Sequence, residues 1–261
     1  MTGRFFDLFT YDFALRGLIA GLCAGVACSA LGVILVLRRI SLIGDGLSHV
    51  TFLGAVIAVM MGASPIYVSL PVVMASSLLI FKLMEKTRVY GDAAIGMVSA
   101  GGLAGGILLA GLGGGFNADI FGFLFGNILS VKAGEVWLSV ILLVLTLGFI
   151  GLKHRELTSV TFDEDFAKTS GVDTAKLSVA MVMAVSAAVV LAIKISGAML
   201  TSALVIIPAV TAIQIGRGFG NVIATACVVS AVSIIFGLSV SFAFNLPSGA
   251  AIVLLNILFF L

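Results

Sequence analysis

Two ionisable side chains lie inside an apolar stretch of the chain, RRISLIGDGLSHVTFLG, which covers residues 38–54. Asp45 and His49 are four residues apart, so on an α-helix they share one face. A carboxylate oxygen and an imidazole nitrogen on one face can both donate lone pairs to a divalent cation. Ser48 and Thr51 are close by in the sequence and are candidates for additional hydroxyl ligands. Because two side chains do not complete a coordination shell, a second copy, another helix or water must supply the remaining ligands.

Three interpretations of this pair need no metal and stay open at this point. Asp45 is near the expected start of its helix, where a carboxylate can simply cap the helix. Asp92, in RVYGDAAIG, occupies the analogous place after another basic segment, although no His follows it by four residues. The pair is also compatible with a proton relay or with a buried hydrogen-bonded couple.

The composition indicates what kind of elements position the pair. Of the 261 residues, 61% are hydrophobic and 10% are charged, whereas a soluble domain has about 45–50% apolar and about 25% charged residues. The apolar runs are continuous, unlike the alternating strands of a membrane β-barrel. The sequence therefore predicts an all-α polytopic membrane helix bundle, with residues 1–261 as a single transmembrane domain. Ionisable groups inside such a bundle are costly and are functional candidates.

About 20 apolar residues of helix cross the hydrocarbon core of a bilayer, and nine stretches of the chain are candidates for spans. The candidates are 15–37, 42–62, 65–83, 93–112, 136–152, 177–194, 197–215, 221–243 and 248–261. The segment 116–131 is apolar but short, and two Asn and one Asp interrupt it, so we predict an interfacial or re-entrant piece there. The expected number of transmembrane helices is eight or nine, with nine favoured.

The distribution of Lys and Arg predicts the orientation, because cytoplasmic loops carry an excess of positive charge. With nine spans, one set of loops holds ten basic residues and the other holds four. The ten are Arg38, Arg39, Lys82, Lys86, Arg88, Lys153, Arg155, Lys168, Lys176 and Arg217; the four are Arg4, Arg16, Lys132 and Lys194. The ten-residue set is therefore predicted to be cytoplasmic, with the N-terminus outside and the C-terminus inside.

The longest hydrophilic stretch, residues 153–176, is cytoplasmic in this arrangement. We expect it to be the one segment that a soluble partner can bind. Its acidic centre favours a helix N-terminus, with Thr161 or Asp163 as the cap. Gly171 is placed to end that helix as a C′ glycine. We therefore expect a helix of about two turns over 164–170, lying along the membrane face. An ordinary solvated connector is the alternative.

Small residues recur at intervals of four in two predicted spans, which lets helix backbones approach closely. Gly17, Gly21 and Gly25 form one such series, and the pairs 101/105 and 102/106 form another. Close packing within one bundle is the interpretation that we favour for both.

Motifs of membrane enzymes and nucleotide-binding proteins are missing from the sequence. It contains no H-E-x-x-H, no G-x-S-G and no G-x-x-x-x-G-K-[ST]. The chain is therefore not expected to be an enzyme, and it cannot cradle nucleotide phosphates by a P-loop. If ATP drives its activity, another polypeptide binds the ATP.

Five segments of the chain, taken in order, resemble the membrane permease of bacterial zinc/manganese ABC importers. They are RRISLIGDGLSHVTFLGA, FGFLFGNILSV, FDEDFAKTSGV, GAMLTSALVIIPAVTA and NLPSGAAIVLL. The resemblance runs over essentially the whole chain. It implies a fold similar to the permeases of cobalamin and iron-siderophore importers. It also implies a bacterial plasma-membrane location, a homodimer of permeases, cytoplasmic ATP-binding subunits and an extracytoplasmic metal-binding protein, with no nucleic acid and no covalently bound cofactor.

The resemblance also assigns roles to particular residues. The D-x-x-x-H of the family falls on Asp45 and His49, which are thereby implied to lie on the metal path. Residues 162–173 match the coupling segment that docks on the ATPase. The positions carried over for that docking are Phe162, Glu164, Phe166, Ala167 and Gly171.

The cargo implied by the resemblance is a divalent transition-metal ion. The segment GDGLSH, residues 44–49, is more similar to zinc-type members of the family than to manganese-type members, so zinc is the expected ion. A manganese or iron importer of the same family is the first alternative. A gradient-driven secondary cation transporter is the second.

Overall fold

The computed structural model describes residues 12–86, 90–113, 126, 131–198, 200–244 and 246–261. The described residues form eleven α-helices. In chain order these are α1 (Asp12–Leu37), α2 (Ile43–Met60), α3 (Pro65–Lys86), α4 (Gly91–Leu112), α5 (Ala133–Leu152), α6 (His154–Phe162), α7 (Glu164–Thr169), α8 (Thr174–Ser196), α9 (Thr201–Ile215), α10 (Phe219–Phe244) and α11 (Ser248–Phe260). The all-helical fold expected from the composition is confirmed. The predicted interfacial segment 116–131 lies almost entirely outside the described residues.

Each of the nine predicted spans coincides with one apolar helix. Seven of these helices are long and apolar enough to cross a membrane, namely α1 to α5, α8 and α10. The other two, α9 with 15 residues and α11 with 13, are shorter than the roughly 20 residues that a full crossing needs. The described chain thus has seven full-length spans and two short apolar helices, and the number eight or nine stays a prediction.

The first helix forms the centre of the hydrophobic core. Small side chains of α1, among them Ala24, Ala27 and Ala30, are completely buried. Gly25 lies against Ser230 of α10, and Gly32 lies directly against the backbone carbonyl of Val205 in α9. A side chain at either glycine would collide with its neighbour, so small residues are what allow α9 and α10 to approach α1.

Several connections that carry the predicted cytoplasmic charges meet at one end of the bundle. Arg38, in the turn after α1, forms an ion pair with Glu164 of α7. The ring of His154, at the start of α6, contacts the ring of Phe219 at the start of α10. Gly91, at the start of α4, lies beside the α1–α2 turn. We name this end the basic end; its assignment to the cytoplasm stays a prediction.

Other connections meet at the opposite end. Gly134, at the start of α5, lies near the hydroxyl of Tyr67 at the start of α3. Gly249, at the start of α11, lies against the carbonyl of Ser196 at the end of α8. The chain therefore returns to the basic end after each helix pair, as the alternation of basic and non-basic loops predicts.

The two overlapping glycine pairs of α4 have different environments. A Cβ added at Gly102 would lie 2.9 Å from the Cα of Val50 in α2, whereas nothing lies within 4 Å of a Cβ added at Gly101. Gly106 likewise meets the ring of Phe52. Only the 102/106 pair is thus a close-packing surface, and it holds α4 against α2.

The variant Gly102→Ala should lower the stability of the bundle by about 1–3 kcal/mol, the usual cost of overpacking a tight contact. Gly101→Ala is the matched control and should leave stability unchanged or raise it by up to about 1 kcal/mol, because Ala favours the helix over Gly and meets no neighbour there. Thermal unfolding of the two purified variants in detergent measures the difference. Equal melting temperatures for both variants would contradict the assignment of the α2–α4 contact.

Candidate functional site

The carboxylate–imidazole pair lies at the start of α2, near the basic end. The helix begins at Ile43, its N-cap is Leu42, and no side chain caps it. Asp45 is thus not the N-cap itself but an acidic residue of the first turn, where its charge also favours the helix N-terminus. Asp45 Oδ2 and His49 Nε2 are 3.7 Å apart, within ion-pair reach but too far apart for a hydrogen bond. A cation between the two side chains would replace this loose contact with two ligand bonds.

The hydroxyl groups that the sequence suggested as extra ligands have other partners. Ser48 donates a hydrogen bond of 2.7 Å to the carbonyl of Asp45. Thr51 donates one of 2.6 Å to the carbonyl of Leu47. Both side chains are buried on the core side of α2, so the expectation that they join the pair is wrong.

The pair is accessible although α2 packs closely on three neighbouring helices through its glycines. Gly46 lies against Ile95 of α4, Gly54 against Ser69 of α3, and Gly44 near α9. The pair itself stays partly uncovered: 35% of the His49 side chain and 47% of the Asp45 side chain are exposed.

An apolar stripe continues from the pair along the same side of α2. The members of this stripe, which we call the open stripe, are at least partly exposed and recur every three or four residues; they are Leu42, Asp45, His49, Leu53, Ile57 and Met60. Leu53 and Met60 also lie beside Gly105 of α4 and Gly113 at its end. Exposure of the carboxylate and the imidazole of this side to lipid would be energetically costly, so we expect protein or a water-filled pathway to face them. Among the described residues, no three His, Cys, Asp or Glu side chains are grouped to hold a metal ion. Within the described part of one chain, the pair thus offers two candidate ligands, fewer than a complete coordination shell.

The second candidate region is the hydrophilic connection between α5 and α8. The predicted helix over 164–170 is confirmed as α7. Asp163 is its N-cap and accepts a 2.9 Å hydrogen bond from the backbone N–H of Phe166, whereas Thr161 donates to the carbonyl of Leu157 within α6. Gly171 has a φ of +85° and closes the helix with paired hydrogen bonds from 171 to 168 and from 172 to 167. This is the Schellman arrangement predicted for a C′ glycine.

The preceding helix, α6, was not predicted. Its sequence, HRELTSVTF, is polar and contains β-branched residues that are poor helix formers. The available signal was the spacing of Leu157 and Val160, which are three residues apart and both buried. The ring of His154, at the first position of α6, packs edge-on against Phe219 with ring centroids 5.4 Å apart.

The five residues predicted to dock on an ATPase divide into two groups. Phe162 and Phe166 are 68% and 62% exposed and present their rings to the surroundings. Ala167 is completely buried against the bundle. Glu164 is held by Arg38 Nη2 at 3.0 Å and by Lys168 Nζ at 2.9 Å, and Gly171 ends the helix. Two residues are therefore available to a partner, and three hold α7 in place.

The charges on this surface interact with each other. The hydrogen bond and the negative charge of Glu164 raise the pKa of Lys168. The hydrogen bonds from Lys176 lower the pKa of Asp173, whose carboxylate also caps α8 by accepting from the backbone N–H of Lys176 at 3.1 Å. The sequence indicates for Arg38 only a cytoplasmic positive charge. Its position at the end of an apolar run does not predict its ion pair with Glu164, which is 126 residues away in the chain.

The all-helical membrane bundle, with an exposed carboxylate–imidazole pair and a capped helix on its basic end, fits a membrane transport permease. The family model for the ABC 3 transport family matches residues 10–261 of this sequence. The chain belongs to that family. It is a multi-pass permease of the bacterial plasma membrane and not an enzyme, because ATP hydrolysis in these systems takes place in a separate subunit.

Individual relatives agree over nearly the whole chain. The manganese transport system membrane protein MntC of Listeria monocytogenes is 32% identical over 97% of this chain and 91% of its own length. The manganese import system permease protein ScaB of Streptococcus parasanguinis is 29% identical over 100% of this chain and 93% of its own length. The solved structure of PsaBC from Streptococcus pneumoniae, in complex with Fab, is similar with a TM-score of 0.88 and 28% identity. That match covers 100% of this chain and 94% of the solved chain.

Removal of the N-cap of α7 tests its local stability. Asp163→Ala should destabilise this helix by about 1 kcal/mol, the usual loss for an N-cap carboxylate. The exchange of the amide hydrogens of residues 164–169 should then be about fivefold faster. Hydrogen exchange with mass spectrometry measures this rate, with Asp165→Ala as the control, because the Asp165 side chain is almost fully exposed. Equal exchange in both variants would argue against the capping role.

Proposed function

We propose that this chain is the permease of an ATP-driven importer for a divalent transition-metal ion, with manganese as the cargo that is best supported. The single observation that carries the metal is the partly exposed Asp45–His49 pair at the start of α2. Carboxylate oxygens suit Mn²⁺ and imidazole nitrogens suit Zn²⁺, so this pair accommodates either ion. The relatives named MntC and ScaB are called manganese transporters. The zinc preference taken from GDGLSH finds no support among them.

A second copy of the chain completes the proposed site. Two copies related by a twofold axis present the same surface to each other. If the open stripes of two α2 helices face one another, the ion is surrounded by two carboxylates and two imidazoles. The need for ligands from outside the chain supports this arrangement, since each described chain offers only the pair. The partial exposure of the Asp45 and His49 side chains leaves both accessible to a second copy.

The direction of transport follows from the predicted orientation. With the basic end in the cytoplasm, the N-terminus is outside and the C-terminus is inside. An extracytoplasmic binding protein then delivers the ion to the opposite end of the bundle, and two ATPase subunits act on the basic end. The ion must be held weakly enough to leave, as in any conducting pathway. In this proposal the pair therefore binds the ion transiently during transport and does not store it.

The docking surface for the ATPase is proposed to be the exposed side of α7 together with Phe162, the last residue of α6. Phe162 and Phe166 are large apolar side chains that a groove of a soluble partner can cover, and exposed aromatic residues are typical anchors of interfaces. The buried Ala167 and the ion pair of Glu164 keep α7 seated on the bundle while the partner moves. ATP-driven closure of the two ATPase subunits would then push on α7 and shift the transmembrane helices.

The variant Asp45→Asn tests the ligand role. It keeps the size of the side chain but removes its negative charge, so uptake of Mn²⁺ in cells should fall by about tenfold or more, the effect expected of about 1.4 kcal/mol lost at the site. The matched control is Asp92→Asn, which changes the first-turn Asp of α4. Membrane abundance of both variants should equal that of the original chain. Normal Mn²⁺ uptake by Asp45→Asn would refute the ligand role. Uptake of Zn²⁺ by the original chain, measured in parallel with uptake of Mn²⁺, tests which of the two ions is the cargo.

The variant Phe166→Ala tests the docking surface. Loss of a buried aromatic anchor typically costs about 2 kcal/mol or more at an interface, so much less ATPase should co-purify with the permease. Tyr90→Ala is the matched control, since Tyr90 is an 88% exposed aromatic residue outside α7, at the start of α4 near the same end of the bundle. Undiminished co-purification with Phe166→Ala would exclude α7 as the anchor.

A further inference from the structure

The guanidinium group of Arg38 joins three elements at the basic end. Its Nη2 donates to Glu164 Oε2 of α7 at 3.0 Å, and its Nη1 donates to Ser178 Oγ of α8 at 3.0 Å. Only 16% of the Arg38 side chain is exposed, against 42% for Glu164. Because arginine presents several donors in a rigid planar fork, one side chain holds α7 and α8 in a defined geometry relative to the end of α1.

The turn that carries Arg38 is tightly closed. Arg39 has a φ of +58°, in the left-handed region that is costly for residues other than glycine. Two backbone hydrogen bonds of 3.0 Å, from Arg39 to Val36 and from Ile40 to Leu35, close α1 in a Schellman arrangement. The N–H of Ile43 then bonds to the carbonyl of Ile40 at 3.1 Å. No slack segment separates Arg38 from the first turn of α2, so the turn moves with that helix.

The metal-path candidate begins immediately after this turn. Asp45 is seven residues after Arg38 and belongs to the first turn of α2. A displacement of α7 that pulls on Arg38 therefore reaches Asp45 through one short, hydrogen-bonded turn. The covalent connection from α7 leads elsewhere, through residues 170–173 into α8.

The surroundings of Arg38 leave room for a small movement. A cavity of about 40 Å³ lies beside its side chain, between the α1–α2 turn, α3 and α8. Most of its walls are apolar; its lining includes Ile40, Ile80 and Met181. Arg38 and Ser178 line the same pocket, which is partly open to its surroundings, so the turn has room for a small displacement.

We propose that Arg38 is a positioning residue that transmits the movement of α7 to α2, through its ion pair with Glu164, and thereby couples ATP hydrolysis to the opening of the Asp45–His49 site. The inference rests on the proposed function, because it requires an ATPase that acts on α7. It adds the residue through which the two separate sites of this chain communicate. The physical basis is the ion pair of Arg38 and Glu164, which joins the α1–α2 turn to α7, two elements that are not adjacent in the chain.

The test is a double-mutant cycle in the assembled complex of permease and ATPase, reconstituted in liposomes with Mn²⁺ as the transported probe. Arg38→Gln should lower the number of Mn²⁺ ions transported per ATP hydrolysed by about fivefold or more, the lower range of typical coupling between sites. Glu164→Gln should give the same loss. The double variant should be no worse than either single variant, because residues that act as one unit are not additive. Losses that multiply in the double variant would overturn the proposal.

Two further variants separate transmission from a merely structural role. Arg38→Lys keeps a positive charge opposite Glu164 and should restore most of the transport per ATP, whereas a loss equal to that of Arg38→Gln would contradict the ion-pair mechanism. Arg39→Gln is the matched control, since Arg39 is the exposed neighbour on the same turn, and its ratio should equal that of the original chain. A similar loss in Arg39→Gln would show that the turn, and not the ion pair, is responsible.

The failure of this inference is distinguishable from a failure of the proposed function. If the original chain does not assemble with an ATPase or does not transport Mn²⁺, the proposed function itself is wrong. If the original complex transports Mn²⁺ and Arg38→Gln keeps the full ratio of Mn²⁺ to ATP, only the role of Arg38 is refuted. Co-purification of the ATPase and the melting temperature are measured for every variant, and a loss of transport that only follows a loss of assembly counts against transmission.

Discussion

The absence of water from the bilayer interior is the constraint on which this structure depends. Backbone polar groups in hydrocarbon must be satisfied within the chain, which favours continuous helices. Lipid tails are as apolar as leucine, so burial of apolar surface gives little force for holding helices together, and close packing at small residues takes its place. The glycines of α1, α2 and α4 supply that packing, with α1 surrounded by other helices and α2 pressed against α3, α4 and α9.

The same constraint gives the Asp45–His49 pair its significance. A carboxylate inside a membrane protein is costly unless it faces a partner, a polar cavity or an ion. The glycines of α2 pack against neighbouring helices, and the pair stays partly uncovered by its own chain. In the proposed dimer, the ligands that one chain lacks would come from the second copy across the twofold axis.

The basic end combines two kinds of contact with different mechanical consequences. Ala167 and the aromatic contacts of Phe219 with His154 and Phe162 seat the α6–α7 unit on the bundle by packing. The ion pair of Arg38 with Glu164 is directional and joins elements that are far apart in sequence. Elements that pack against each other move together as one rigid body. An ion pair between two such bodies can transmit the movement of one to the other. The arrangement suits a permease driven by an ATPase on one side of the membrane.

The sequence by itself determined the helical class, the approximate bounds of the nine apolar helices and the caps of α7, because these depend on local composition and on residues three or four apart. It also determined that Asp45 and His49 share a helix side, since that follows from helix geometry alone. Only the tertiary structure decided that Ser48 and Thr51 turn to the core, that Gly102 packs while Gly101 does not, and that Arg38 meets Glu164. These outcomes depend on which neighbour occupies each side of a helix, and such contacts join residues too distant in the chain for any local pattern to record.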